Sequence, residues 1–169
     1  ISFIEFDLSD SLNVDSVKYH SLNLNFSQTT DVVKIDFSSP ISLQDSLTIY
    51  YSGVPNSAGF GSFIQSTHNS IPIVWTLSEP FGAKDWWPCK QSLNDKIDSI
   101  DIIVTCPKEY RTASNGILVS DVISGNKRTC FWKHRYPIAA YLVCMAVTNY
   151  AVFSNYVPFQ NDTLEVLNY

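Results

Sequence analysis

A chain of 169 residues with 45% hydrophobic and only 16% charged residues can bury a real core, which excludes intrinsic disorder and fits one ordinary domain. Its 11 Lys and Arg against 16 Asp and Glu give a net charge of −5, which excludes nucleic acid and anionic membrane as favoured partners. No apolar run approaches the roughly 20 residues of a membrane-spanning helix, so no membrane segment is expected in this chain.

The chain opens in a strand-like run, Ile1-Ser2-Phe3-Ile4-Glu5-Phe6, with neither an initiator Met nor a signal peptide. The expectation is a segment of a larger protein, whose compartment this end does not reveal. From there, nearly every stretch alternates with period two or forms a short apolar run bounded by turn residues. Strands are predicted over residues 1–8, 14–19, 22–27, 32–37, 46–52, 73–77, 99–106, 111–113, 117–122, 129–134, 141–148, 151–156 and 164–167. The cleanest alternation is Val33-Lys34-Ile35-Asp36-Phe37, with apolar residues inward and charged residues outward.

Residues 53–70 are rich in Gly, Ser and Asn and read as one long loop, a feature that in a compact domain is functional or mobile. One helical turn is possible over 92–96, and no segment carries a helical period of helix length. Asn115-Gly116 signals a tight turn because both residues tolerate positive φ, and Gly125-Asn126-Lys127 reads as a second hairpin turn. The fold class is all-β, either a β-sandwich or a broad curved two-sheet domain, and spacing does not choose between them.

The four cysteines, Cys89, Cys106, Cys130 and Cys144, lack a Cys-x-x-Cys pair and stand too far apart for a zinc pattern. They read as small buried hydrophobes, with a Cys130–Cys144 bridge between neighbouring strands as the alternative. Asn25-Phe26-Ser27 and Asn161-Asp162-Thr163 are glycosylation sequons only in a eukaryotic secreted protein.

The richest stretch is residues 75–90, which sets a carboxylate, a lysine, two tryptophans and a rigid Pro-Cys pair between plain strands. Trp86 and Trp87 are adjacent, so on an extended backbone one points into the core and the other away. Pro88 fixes the backbone after them. Lys84 and Asp85 read as a solvated turn. Cys89 reads as structural, since only Lys90 supplies the positive setting that a reactive thiol needs. Lys127, Arg128, Lys133, His134 and Arg135, interleaved with Phe131, Trp132 and Tyr136, read as solvated strand faces; the acidic balance opposes a nucleic-acid surface there. His20 and His134 are expected on strand surfaces.

Thr76-Leu77-Ser78-Glu79 followed by Trp86-Trp87-Pro88-Cys89 resembles the Thr-Gln-x-Glu and aromatic-Pro-Cys elements in the N-terminal β domain of M1 (gluzincin) zinc aminopeptidases. The resemblance continues in order along the chain. Residues 46–53, ending Tyr51-Ser52-Gly53, look like a strand closing on Tyr-x-Gly. Residues 98–107 look like the strand after the Pro-Cys element. Ala113-Ser114-Asn115-Gly116 matches a Ser-Asn-Gly turn, and residues 136–143 match a Pro-hydrophobic-x-x-Tyr-Leu strand.

The resemblance implies that residues 1–169 are a single saddle-like β-sandwich of two curved, mostly antiparallel sheets, packed on a thermolysin-like catalytic domain that is absent here. It implies a Gly-x-Met-Glu-Asn motif and a zinc-binding His-Glu-x-x-His helix in that absent domain. Neither motif occurs in this chain. His20, His68 and His134 have no second histidine four residues away, so the chain alone is expected to hold no zinc and hydrolyse no peptide. By the same resemblance Glu79 faces the catalytic cleft, binds the free α-amino group of a peptide substrate, and lines the pocket for the first side chain. An ammonium taken from water needs a carboxylate partner, so the chemistry is sound. Leu77 stands where many members have Gln, which removes a polar substrate contact and makes the pocket more apolar. Gln91-Ser92-Leu93 replaces the family's Asp-Glu-Pro and receives no role.

Two other classes compete. A carbohydrate- or protein-binding β-sandwich would use Trp86 or Trp132 as a stacking platform. An immunoglobulin-like module would show a Cys…Trp…Cys frame, and here Cys130 and Cys144 enclose only Trp132, two residues after the first cysteine.

Overall fold

The structure is a computed structural model that describes residues 1–41, 45–56 and 62–169. It is all-β as expected. Among the described residues the strands form several antiparallel sheets, and the helical turns are two short 3-10 segments, Ala83–Asp85 and Ala140–Leu142. The chain divides into two compact units.

The first unit comprises Ile1–Ile64, Thr76–Asp98 and Tyr136–Cys144. It contains β1 (Phe3–Asp7), β2 (Leu12–Tyr19), β3 (Leu22–Asn23), β4 (Asn25–Thr29), β5 (Val32–Asp36) and β6 (Leu47–Gly53). These make two three-stranded sheets, in the orders β1-β5-β4 and β3-β2-β6. Leu12 and Val17 of β2 meet Val33 and Ile35 of β5 and the intervening Leu8 in one core, flanked by Ile4, Phe6, Phe26 and Ile49. Inner faces of both sheets thus interdigitate, which is sandwich packing. Val33 and Ile35 are fully buried while Lys34 pairs with Asp36 outside, so the predicted alternation is realised. Each such buried aliphatic side chain contributes about 1.5–3 kcal/mol.

The strand predicted over 22–27 is two strands on different sheets. Leu24 carries the chain between them, its N–H donating to the Val17 carbonyl at 3.0 Å.

The second unit comprises Gln65–Trp75, Ser99–Arg135 and Met145–Tyr169. The sheet of this part runs β10-β13-β8-β7 and uses β7 (Phe63–His68), β8 (Ile71–Thr76), β10 (Arg111–Ser114) and β13 (Met145–Thr148). A second sheet, in the order β11-β12-β9, uses β9 (Ile100–Pro107), β11 (Ile117–Ser124) and β12 (Lys127–His134). Among the described residues β14 (Phe153–Phe159) and β15 (Asp162–Asn168) pair only with each other. The inner face of β12 carries Arg128, Cys130 and Trp132, all buried. The Trp132 indole donates to the Thr112 hydroxyl at 3.0 Å, and Arg128 grips Asp121 at 2.6 and 2.5 Å.

Three expectations are corrected here. The loop over 53–70 contains β7, an edge strand whose Gln65-Ser66-Thr67-His68 stretch is exposed; it is held by backbone pairing and needs no apolar alternation. Asn69 and Ser70, both at positive φ, close it onto β8. Residues 57–61 of that predicted loop lie outside the described residues. The Asn115-Gly116 turn does not close a hairpin, because β10 pairs with β13 and β11 with β12. Gly116 is required at φ 87°, since a Cβ there would meet the Lys133 carbonyl oxygen at 2.0 Å. The strand predicted over 141–148 begins as the second 3-10 turn and becomes β13 only at Met145. The turn possible at 92–96 is a turn and not a helix, closed by Asp95 N–H on the Ser92 carbonyl at 3.1 Å. The Gly125 hairpin between β11 and β12 forms as expected, with φ 59° at Gly125. All four cysteines are free of disulfides.

Candidate functional site

The chemically loaded stretch 75–90 leaves β8 after Thr76 and folds back on the first unit. Leu77 N–H donates to the Ser62 carbonyl at 3.1 Å, and Gly82 N–H reaches back to the Ser78 carbonyl at 2.8 Å, closing the turn. The Glu79–Pro80 peptide is cis. Gly82 lies flush against Ser62, where a Cβ would come within 2.1 Å of the Ser62 hydroxyl oxygen. That hydroxyl donates to the buried Asp85 carboxylate at 2.6 Å.

The expected solvated turn at Lys84 and Asp85 is therefore corrected. Asp85 is buried, and the Lys84 ammonium is paired with Asp31 of the β4–β5 turn. The Lys84 ammonium holds the Asp31 carboxyl below its usual range, helped by the Asp10 backbone N–H. Asp31 in turn raises Lys84 above the usual lysine value. The reason is backbone pairing: Lys84 sits on the 3-10 turn and its carbonyl accepts the Ser9 N–H at 2.9 Å, while the Leu8 N–H donates to the Asp31 carbonyl at 2.9 Å, which brings Asp31 beside Lys84.

Trp86 and Trp87 do not divide into one core and one free ring. Both are half-buried, with ring centroids 5.9 Å apart. The Trp86 indole donates to the Ser78 hydroxyl at 2.9 Å and lies 6.5 Å from the Phe63 ring; its carbonyl accepts the Tyr51 hydroxyl at 3.0 Å. Trp87 packs on Ala83, Cys89 and Ala140. Cys89 exchanges backbone hydrogen bonds with Asp7 at 2.7 and 3.0 Å, and burial with the nearby Asp7 and Asp85 pushes its thiol up to about 12. It is an inert structural thiol, as expected.

With these anchors the loop turns most of its chemistry inward. What it presents to solvent is Leu77, Glu79, Pro80 and Phe81, and at its far end Lys90, on a base fixed by main-chain and side-chain bonds. Leu77, Glu79 and Phe81 border an open depression of about 460 Å³ whose floor includes Ser62, Lys84 and Asp85. Glu79 and Leu77 are thus brought together at one surface. Phe81 was not legible as a site residue; its signal was a large aromatic between Pro80 and Gly82 in a turn. Asp31 and Ser62 lie outside the stretch and carry no local mark.

The competing sites lose their material. Trp132 is 4% exposed and offers no stacking face. In the basic cluster Arg128 is bound to Asp121, Lys133 lies over the Phe131 ring, and Arg135 pairs with Asp101 at 2.5 Å. His20 pairs with Asp45 at 3.1 Å on the surface. Among the described residues no group of three or more His, Cys, Asp or Glu is placed to hold a metal ion, and no helix is long and apolar enough to cross a membrane.

No family model and no curated relative matches the sequence. Solved structures do match the fold. A variant of the M1 zinc metallopeptidase of Deinococcus radiodurans, bound to a Tyr-Ser-Ala substrate, superposes with a TM-score of 0.82 at 19% identity, over 99% of this chain and 39% of that one. The M1 zinc metallopeptidase of Deinococcus radiodurans itself gives 0.80 at 20% identity, over 99% and 39%. A two-domain M1 zinc metallopeptidase variant bound to L-tryptophan gives 0.80 at 19% identity, over the same shares. The chain spans about two fifths of the length of the structures it matches. At this identity the likeness shows the fold alone: an all-β fold similar to that of one part of these metallopeptidase chains.

Proposed function

We propose that residues 1–169 act as the N-terminal β domain of a zinc-dependent M1 aminopeptidase, packing on the catalytic domain and supplying part of the cleft that receives a peptide's N-terminus. The observation that carries this reading is the fold match over 99% of the chain to metallopeptidases, one of them bound to a Tyr-Ser-Ala substrate. Beside it stands the exposed Glu79 on a loop anchored by its own backbone hydrogen bonds.

Glu79 accepts hydrogen bonds from the substrate's α-ammonium, and a hydrogen bond to a charged group contributes about 1.5–3 kcal/mol. A peptide without a free amino group forfeits that contact, which makes the enzyme an exopeptidase. Leu77 lines the pocket for the first side chain. Among the described residues no group of three or more His, Cys, Asp or Glu is placed to hold a metal ion; zinc would be held by the rest of the polypeptide, where it would supply polarisation of the scissile carbonyl and an activated water. In this chain Glu79 binds and orients, and Lys84, Asp31, Ser62 and Asp85 keep its loop in place.

The β14–β15 hairpin supports the packing partner. Phe153, Val157 and Phe159 of β14 and Leu164 and Val166 of β15 share one face by register, and each is between 45% and 57% exposed. A lone two-stranded ribbon is marginal in water, so such a face calls for a covering surface. The catalytic domain of the same polypeptide is the partner we assign to it. A carbohydrate-binding role finds no free tryptophan platform, since Trp132 is buried and Trp86 is half-buried beside Phe63 and Trp87.

The test is the full-length product of the parent gene. It should release N-terminal residues from aminoacyl amides, spare their N-acetylated forms, lose activity to a chelator, and regain it with zinc. Absence of cleavage, or cleavage indifferent to the chelator, would overturn the reading.

A further inference from the structure

We infer that the slot beside the Pro-Cys element binds a small apolar acid, whose carboxylate is held by the Trp87 indole N–H and the Lys96 ammonium. The slot has a volume of about 280 Å³ and shares no lining residue with the depression at Glu79. Phe6 of β1, Trp87 and Ile97 supply its apolar lining, together with the buried Cys89. Lys90, Asp95 and Lys96 are its charged residues.

Two unmet groups define the ligand. The Trp87 Nε1 is buried, and among the described residues it is the one buried side-chain nitrogen or oxygen without a hydrogen-bond partner. Leaving such a donor unpaired is costly, and native structures rarely keep one without a use. An indole N–H only donates, so its partner must be an acceptor. Lys96 is exposed and, among the described residues, is in no ion pair, whereas Lys90 is paired with Asp95 at 3.5 Å.

The surrounding charges favour an anion. Lys90 and Lys96 against Asp95 leave the lining one net positive charge. Cys89 adds none, because burial pushes its thiol up to about 12. Asp7 is outside the lining and accepts the Gln91 N–H at 2.9 Å. Gln91-Ser92 stand where the resemblance would place Asp-Glu, so this chain sets no further carboxylate there. A carboxylate answers both the indole and the ammonium, and hydrogen bonds to an ionised acceptor are roughly twice as strong as neutral ones. A volume just under the roughly 300–1,000 Å³ of drug-sized sites limits the apolar body to one ring or a short chain. An amine of the same shape would meet Lys96 as a like charge. A neutral amide would keep the indole contact and lose the ion pair.

The experiment titrates the full-length protein with phenylacetate, hexanoate and phenylacetamide in isothermal titration calorimetry at low salt. Its readout is binding, so it stands whether or not the protein proves to be an aminopeptidase. Both acids should saturate one site with a Kd of order 1 mM, and phenylacetamide should bind at least about 10-fold more weakly. Lys96→Gln should weaken phenylacetate by about 10-fold and leave phenylacetamide unchanged. Trp87→Phe keeps a ring and removes the donor, so it should weaken acid and amide alike. Asp95→Asn releases Lys90 and should tighten phenylacetate. Absence of saturable binding, or equal affinity for acid and amide, overturns the inference. So does a Trp87→Phe protein, folded by its circular dichroism, that binds phenylacetate as the wild type does. Phenylacetate binding indifferent to Lys96→Gln overturns it as well, since the acid then sits elsewhere.

Discussion

Replacing Gly82 with alanine should strike the hinge of the candidate site without touching its exposed residues. The new Cβ would lie 2.1 Å from the Ser62 hydroxyl oxygen, 2.9 Å from its Cβ and 3.2 Å from the Ser78 Cα. Ser62 is 3% exposed, and its hydroxyl is the donor to buried Asp85 at 2.6 Å. Overpacking in such a place costs about 1–3 kcal/mol. Stripping a buried acceptor of its donor costs about 1–3 kcal/mol more. For a chain of this size each kcal/mol lowers Tm by roughly 2–4 °C, so the combined cost of about 2–6 kcal/mol should drop Tm by roughly 4–24 °C in thermal unfolding followed by circular dichroism. Ser62→Gly alone should destabilise, since it also removes the donor. The double variant Ser62→Gly with Gly82→Ala should be more stable than the sum of the singles by about 0.5–3 kcal/mol, because the clash is gone. A Gly82→Ala protein that melts with the wild type would refute the packing argument.

Three further outcomes follow from the geometry. In the native protein Cys144, which is exposed, should alkylate with iodoacetamide at pH 8 well before Cys89, whose thiol is pushed up to about 12 by burial; mass spectrometry reads the order, and early labelling of Cys89 would contradict its buried state. Asp31 is lowered by Lys84, so its contribution is present above the ordinary carboxyl value of 3.8 and is lost as pH falls through the folded value below it. Lys84 is raised, so its contribution is present below 10.5 and is lost as pH rises through the folded value above it. The Tm gap between wild type and Lys84→Met should therefore be widest between these limits and shrink outside them. It should also be small, because the pair is partly exposed at 27% and 39%; a gap that ignores pH would contradict the pairing. Finally, Val157→Asp in the full-length protein should cost more than about 1 kcal/mol if the hairpin face is covered, against the ±0.5 kcal/mol of a free surface position. An unchanged Tm would leave that face in solvent.

Much of the fold was legible because burial on one side writes period two into the chain. Val33 and Ile35 inward with Lys34 and Asp36 outward is the clearest case. β7 was illegible for the complementary reason: an exposed edge strand takes its order from backbone bonds to β8 and leaves no apolar stripe. Asn115-Gly116 announced a positive φ truthfully. It could not announce that the close approach of the Lys133 backbone, rather than a hairpin, demands it.

At the site, Glu79 and Leu77 were marked by the ordered motifs around them, and the structure sets them side by side at one depression. The surroundings were not marked. Lys84 finds Asp31 from 53 residues away, and Asp85 finds Ser62 from 23, so neither partner shows in local composition. Phe81 became visible only once its neighbours were seen to turn inward.

The most direct test of the central claim is Glu79→Gln in the full-length enzyme, assayed on aminoacyl amides. Loss of one charge-assisted contact to the α-ammonium should lower kcat/KM by roughly 10- to 100-fold with Tm unchanged. Kinetics within twofold of the wild type would contradict the placement of this loop in the substrate cleft.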